Sequence, residues 1–293
     1  MKNFTIYLLG LIFFVIGILF IMDIFYTKVY ENSIPRTKFQ YLRSFKNKRI
    51  DYIFLGSSRV ENSIVPNLIK EKTGKDGINL GFQASKLSDI YTVLRLVKEY
   101  NIKVDKVLIQ IDYIFNIEEG YSNVFQYEIM PFIRENQVTY QYFDSHFSDR
   151  KEIFYFPFYR YCTFGSKIGF REIFANLINK RSKIIENYGF VSLYGNSFNH
   201  DNSLPEEINL KNIYFDKIKE FSTRNNIPIV FFCAPFCKHT KNLDFIKKLK
   251  QKIPDLYDFS MAIQNDEMFK NCSHLNNEGA CFFTEYLADE ILK

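Results

Sequence analysis

Two adjacent serines and a distant histidine carry residue types suited to nucleophilic acyl chemistry. Ser57 and Ser58 close an apolar run in DYIFLGSSRVENSI (51–64), and His274 stands in NCSHLNNEGACFF (271–283). A serine hydroxyl is a weak nucleophile until a base takes its proton, and the resulting oxyanion needs fixed hydrogen-bond donors. Ser58 would supply the hydroxyl and His274, one of 4 histidines, the base. Backbone N–H groups of Ser58 and Gly81 would form the oxyanion hole, glycine letting the backbone come close to a substrate oxygen. Taken alone, Gly-Ser-Ser also fits a tight turn, and a loop histidine also fits plain surface. Only the elements that carry them can bring the two ends of the chain together.

From residue 50 onward, short apolar runs alternate with amphipathic segments. DYIFLG (51–56), GINLGF (77–82), KVLIQIDY (106–113), IPIVFFCAP (227–235) and the weaker LYDFS (256–260) read as strands. Leu87, Ile90, Leu94 and Val97 fall on one face of a helix, as do Ile213, Phe215, Ile218 and Phe221 of another. Asn276 or Asn277 is placed to cap a final helix. This alternation predicts an α/β domain with a mostly parallel sheet, whose sites lie at the carboxyl ends of the strands. Gly56-Ser57-Ser58 is at one such end and Gly81 at another. Residues 114–205 break the rhythm with FYFPFYRYCTFGSKIGF and related stretches. They read as an aromatic-rich insertion: a cap over the site, a surface on the membrane, or a packed subdomain.

Residues 4–26 are almost wholly apolar, with Asp23 the only charge. The run is long enough for a hydrocarbon core of about 30 Å, and no small-residue cleavage site follows it. It reads as one uncleaved transmembrane anchor (1–27), followed by a basic linker (28–49) and the α/β domain (50–293). Lys28, Arg36 and Lys38 follow the helix whereas Lys2 alone precedes it. The charge rule therefore favours a cytoplasmic body. A long domain can cross regardless of its charge, and a single-pass cell-membrane protein with an extracytoplasmic body is the reading adopted.

The net charge of +5 is spread among interleaved acids, which excludes a nucleic-acid footprint. The run RSFKNKR (43–49) reads as a solvated linker. Five cysteines rule out a complete disulfide framework. Cys233 and Cys237 in CAPFCKH either bridge or, as preferred here, are buried thiols. With His239 they lack a second ligand pair of zinc-site spacing, so neither a metal nor any other cofactor is expected.

Three stretches resemble the blocks of the SGNH (GDSL-type) hydrolase superfamily across residues 50–293. IFLGSSRV matches the block that ends the first strand, with Ser58 in the nucleophile's place and Ser57 where the family usually has Asp. INLGFQAS places Gly81 as the oxyanion glycine. NCSHLNNEGA resembles Asp-x-x-His-Leu-Asn-x-x-Gly, with His274 as base and Asn276 and Gly279 in the trailing positions. The resemblance implies a flavodoxin-like three-layer sandwich with a central five-stranded sheet. It is similar, more narrowly, to the membrane-anchored branch of cell-envelope and surface-polysaccharide systems, which includes the D-alanine transfer protein of teichoic acids and O-acetyltransferases. That likeness implies acyl ester hydrolysis or acyl transfer, an acylated or acyl-accepting glycan as substrate, and a membrane acyl-donor protein as partner.

Two positions depart from the pattern. The Gly-x-Asn-Asp block is replaced by LIQIDYIFN, leaving Asn116 or Gln83 as substitute oxyanion donors. The triad acid's place holds Asn271, whose carbonyl oxygen can orient an imidazole without stabilising its charge; in the trypsin-like template an Asp→Asn change costs about 10⁴ in turnover. Asp266 is the alternative acid if its loop folds back. The other readings are a weakened or inactive glycan-binding or scaffold protein, and a purely structural tethered domain in which Ser58 and His274 never meet.

Overall fold

In a computed structural model of the chain, which describes residues 2–196 and 202–292, five parallel strands form one sheet. They are β1 (Arg49–Gly56), β2 (Gly77–Gly81), β3 (Lys103–Gln110), β4 (Ile229–Cys233) and β5 (Tyr257–Asp258), in the order β2-β1-β3-β4-β5. This is the doubly wound order 2-1-3-4-5, with helices on both faces. Alternate residues supply two cores, as the pleat requires. Ile53, Leu55, Val107, Ile109 and Phe231 pack with the helices Leu87–Glu99 and Ile213–Asn225. Tyr52, Phe54, Leu108 and Phe232 pack against the final helix, Asn277–Ile291. Strands buried on both sides explain why they read as near-continuous apolar runs. The fold is thus the expected α/β three-layer sandwich, and all five strands fall where the apolar runs placed them.

Helix α1 (Lys2–Asn32) is long and apolar enough to cross a membrane. It outruns the expected anchor because its last turns are covered by protein: Tyr26 and Tyr30 are buried against Phe158 and Tyr161, with ring centroids 4.8–6.3 Å apart. Asp23 accepts hydrogen bonds from the Phe158 N–H (2.8 Å) and Arg160 Nη2 (2.9 Å).

Residues 28–49, expected as a basic linker, are in part packed on the body, while Lys46, Asn47 and Lys48 of the RSFKNKR run are exposed, as a solvated stretch should be. Within them α2 (Lys38–Ser44), capped by Thr37, packs on the body. Lys38 is buried; its Nζ lies 2.9 Å from Glu61 Oε1 and donates to the Gly81 carbonyl. Pairing makes that burial tolerable. Burial lowers the Lys38 pKa, with Glu61 opposing the shift.

The insertion is a set of short helices that joins α1 to the domain. Its segment 197–201 lies outside the described residues. The stretch 188–193 runs beside the site: Tyr188 accepts from Asn79 N–H, and Val191 N–H donates to the Glu61 carbonyl.

Candidate active site

β1 ends at Gly56, and Ser57 caps the short helix α3 (Ser58–Glu61), so Ser58 starts the helix. The crossing is tight. A Cβ on Gly56 would sit 2.4 Å from Val60 Cγ2, and one on Gly81 would sit 2.4 Å from the Glu61 nitrogen. Both glycines are therefore required by close approach. The two serines part here. Ser57 turns inward, its N–H and Oγ each 3.1 Å from Gln110 Oε1. Ser58 Oγ lies 2.7 Å from His274 Nε2.

His274 sits on a two-stranded hairpin, β6 (Phe269–Asn271) and β7 (His274–Leu275), that the sequence did not suggest. Polar contacts among Asn271, Ser273 and His274 fix the turn. Asn271 Oδ1 accepts from Ser273 N–H and Oγ, each at 3.0 Å, and lies 3.1 Å from His274 Nδ1. Ser273 Oγ is also 3.0 Å from Nδ1. An acceptor facing Nδ1 places the imidazole proton there and leaves the Nε2 lone pair on Ser58. Within the turn, Cys272 is disulfide-bonded to Cys237, and beyond it Asn276 caps the final helix through Gly279 N–H.

Arg59, next to Ser58, ties these parts together. It is buried, ion-paired to Asp112 at 2.7 Å, and stacked 3.5 Å from the Phe236 ring. It donates to the carbonyls of Ser273 (2.5 Å), Ala234 (2.6 Å) and Pro235 (3.0 Å). One side chain thus links the ends of β1, β3 and β4 to the histidine turn. Arg59 stood in plain view in the Gly-Ser-Ser-Arg run, and Gln110 and Asp112 were the polar residues closing β3's apolar run. What the sequence did not show was that all three point inward.

Several expectations need correction. Asp266 does not fold back to His274. Asn265 caps a turn that points its carboxylate at Lys238 Nζ (3.0 Å) and His239 Nε2 (3.1 Å), and these partners lower its pKa. The Gly81 N–H does not face an open site, because it donates to Asn79 Oδ1 at 3.0 Å. Of the two proposed backbone donors, that leaves Ser58 N–H. Asn116 binds the Glu207 carbonyl and Asn209 N–H, and Gln83 is exposed, while Gln110 occupies the place beneath Ser57. Cys237 pairs with Cys272, not Cys233, which stays a buried thiol; with Cys237 bridged, CAPFCKH cannot converge on a metal. A domain in which Ser58 and His274 never meet is excluded by their contact.

Burial, and then the Arg59 charge, pull the His274 pKa down to about 4. The imidazole is therefore neutral and proton-accepting at neutral pH. The unfolded histidine titrates near 6.5, so folding stability from this group falls as pH drops from about 6.5 through about 4 and is flat above. The acidic limb of kcat/KM is expected near pH 4. Asn271→Asp is expected to move that limb upward by a unit or more, because a carboxylate favours the imidazolium. A pH–rate profile of both proteins checks this.

No family model and no curated protein matches the sequence. A solved structure from Desulfitobacterium hafniense DCB-2, titled as a lipolytic protein of the G-D-S-L family, is similar at 12% identity with a TM-score of 0.40, over 82% of this chain and 98% of that one.

Proposed function

We propose that the chain is a serine-dependent acyl ester hydrolase or O-acyltransferase of SGNH type, acting on a cell-envelope or surface polysaccharide. The observation that carries this is the 2.7 Å contact from Ser58 Oγ to His274 Nε2, with Nδ1 held by the Asn271 carbonyl oxygen. Ser58 Oγ attacks the acyl carbonyl as its proton passes to Nε2, and Ser58 N–H faces the oxyanion. The tetrahedral adduct collapses, the leaving alkoxide oxygen takes that proton, and an acyl-serine remains. Water or a sugar hydroxyl then attacks it, with Nε2 again taking the proton; the second adduct collapses as Ser58 Oγ leaves and takes that proton back, releasing the acid or the acylated sugar. Helix α1, long and apolar enough to cross a membrane, supports a membrane setting for this chemistry, and the Cys237–Cys272 bridge supports an extracytoplasmic body, since disulfides persist in oxidising compartments.

Full-length protein is expected to turn over an activated acetyl ester, and an added polysaccharide should divert the acetyl group from water to sugar if the enzyme is a transferase. Ester turnover no faster than in buffer would overturn the reading. A second reading, a glycan-binding or scaffold protein without turnover, is favoured by the amide at 271 and the engaged Gly81 N–H. Saturable glycan binding with no ester turnover selects it.

A further inference from the structure

We propose that the insertion seats the body on an anionic lipid surface where α1 leaves the membrane. The seat is the outer face of the helix Phe170–Leu177 together with the corner at Tyr155 and Phe156. This rests on the reading of α1 as membrane-spanning.

Phe170, Phe174, Leu177 and Ile178 are 76%, 54%, 51% and 56% exposed. Their spacing puts them on a single stripe of one helix. The opposite face is fixed to the protein. Ile173 and Asn176 are buried, Ser33 Oγ donates to Asn176 Oδ1 at 2.6 Å, and Arg36 Nε lies 2.6 Å from Glu172 Oε1. The stripe therefore faces away from the domain beside the emerging anchor. Tyr155 and Phe156, 67% and 64% exposed, stand close to Phe158, whose N–H binds Asp23.

The heights agree. The exposed large apolar side chains of α1 run from Phe4 to Phe25. At 1.5 Å per residue they span about 33 Å, close to the roughly 30 Å hydrocarbon core. The Tyr155–Phe156 corner is at the level of Asp23, the end of that span. The Phe170–Leu177 helix meets α1 at Ser33, and Ile168 just before it meets α1 at Tyr30, whose Oη donates to the Ile168 carbonyl (3.0 Å). Tyr30 lies about 7 Å above Phe25, within the headgroup layer.

Charge selects the lipid. Lys167, Arg171, Lys180, Arg181 and Lys183 are all exposed, and the acid within 167–183, Glu172, is paired with Arg36. An apolar stripe bordered by cations is the make-up of an interfacial helix that prefers anionic headgroups.

The chain has no Trp, so one introduced indole reports alone. Full-length Phe174→Trp is reconstituted in vesicles with acyl-chain-brominated lipid and a varied fraction of anionic lipid. The reference is Phe282→Trp, exposed on the final helix in the layer opposite α1. Phe174→Trp is expected to emit at shorter wavelength and to be quenched several-fold more than the reference. The quenching should rise with anionic lipid and weaken when Lys180 and Arg181 are both changed to Glu. Quenching no greater than the reference overturns the proposal, including when emission is blue-shifted, which would mean a protein covers the stripe. Phe13→Trp, within α1, shows in that case whether the anchor reading fails too: quenched, only the seat is lost; unquenched, both are.

Discussion

Ser58→Ala is expected to bring ester turnover down to the uncatalysed background, and His274→Ala to lower it by about 10²–10⁴, the usual yield of a positioned general base. The double variant should be no slower than Ser58→Ala. The non-additivity follows from the 2.7 Å contact: the base has nothing to deprotonate once the hydroxyl is gone, so the two act as one unit. Ser57→Ala is the control that separates neighbours of identical chemistry. Its hydroxyl faces Gln110 Oε1 at 3.1 Å and not His274, so turnover should persist. Initial rates on an activated acetyl ester, with folding checked by circular dichroism, read all four variants. Ser57→Ala as silent as Ser58→Ala would assign the wrong serine.

Arg59→Met is the second large effect. It leaves the Asp112 carboxylate buried without its partner, and breaking a buried pair costs about 3–5 kcal/mol. In a chain of this size that corresponds to a melting shift on the order of 10 °C. Burial already raises the Asp112 pKa, and Arg59 is the main influence holding it back. Without Arg59 the folded pKa rises further above the unfolded value. The stability deficit should therefore grow as pH rises through that range and shrink toward acid, where Asp112 is protonated in both states. Arg59→Met/Asp112→Asn should recover a good part of the stability while keeping the cap that Asp112 Oδ1 gives Ile114 N–H at 3.1 Å. It should not recover full activity, because the carbonyls of Ser273, Ala234 and Pro235 still lose their shared donor. Thermal melts across pH, set beside kcat, distinguish this positioning role from simple destabilisation. A double variant restored in both stability and kcat would contradict it.

The buried strands were legible because burial on both faces writes them as apolar runs, whereas β5 is exposed; α1 was legible as a helix long and apolar enough to cross a membrane. Features decided by tertiary pairing were not. Lys38 reads as a solvated charge until Glu61 and the Gly81 carbonyl meet it. The partner of Cys237 lies 35 residues away, with no local signal to select it over Cys233. β6 and β7 are too short for alternation to reveal. Asn79, two residues before Gly81, is a pattern that local reasoning can find, since Asx side chains often bond backbone N–H groups two positions on; recognising it would have withdrawn Gly81 from the oxyanion hole. The Ser58 and His274 assignment came from their strand-end and loop positions together with the resemblance to the three family blocks, whereas the identity of the group behind Nδ1 required the turn's geometry.

The central claim is that Ser58 is a nucleophile activated by His274. Its most direct test is covalent capture: full-length protein treated with a fluorophosphonate, which transfers its phosphonyl group to an activated serine oxygen with loss of fluoride, followed by peptide mass spectrometry. A single phosphonyl adduct is expected on Ser58, absent from Ser58→Ala and formed at least about a hundredfold more slowly in His274→Ala. An unlabelled Ser58, or labelling equally fast without His274, would contradict it.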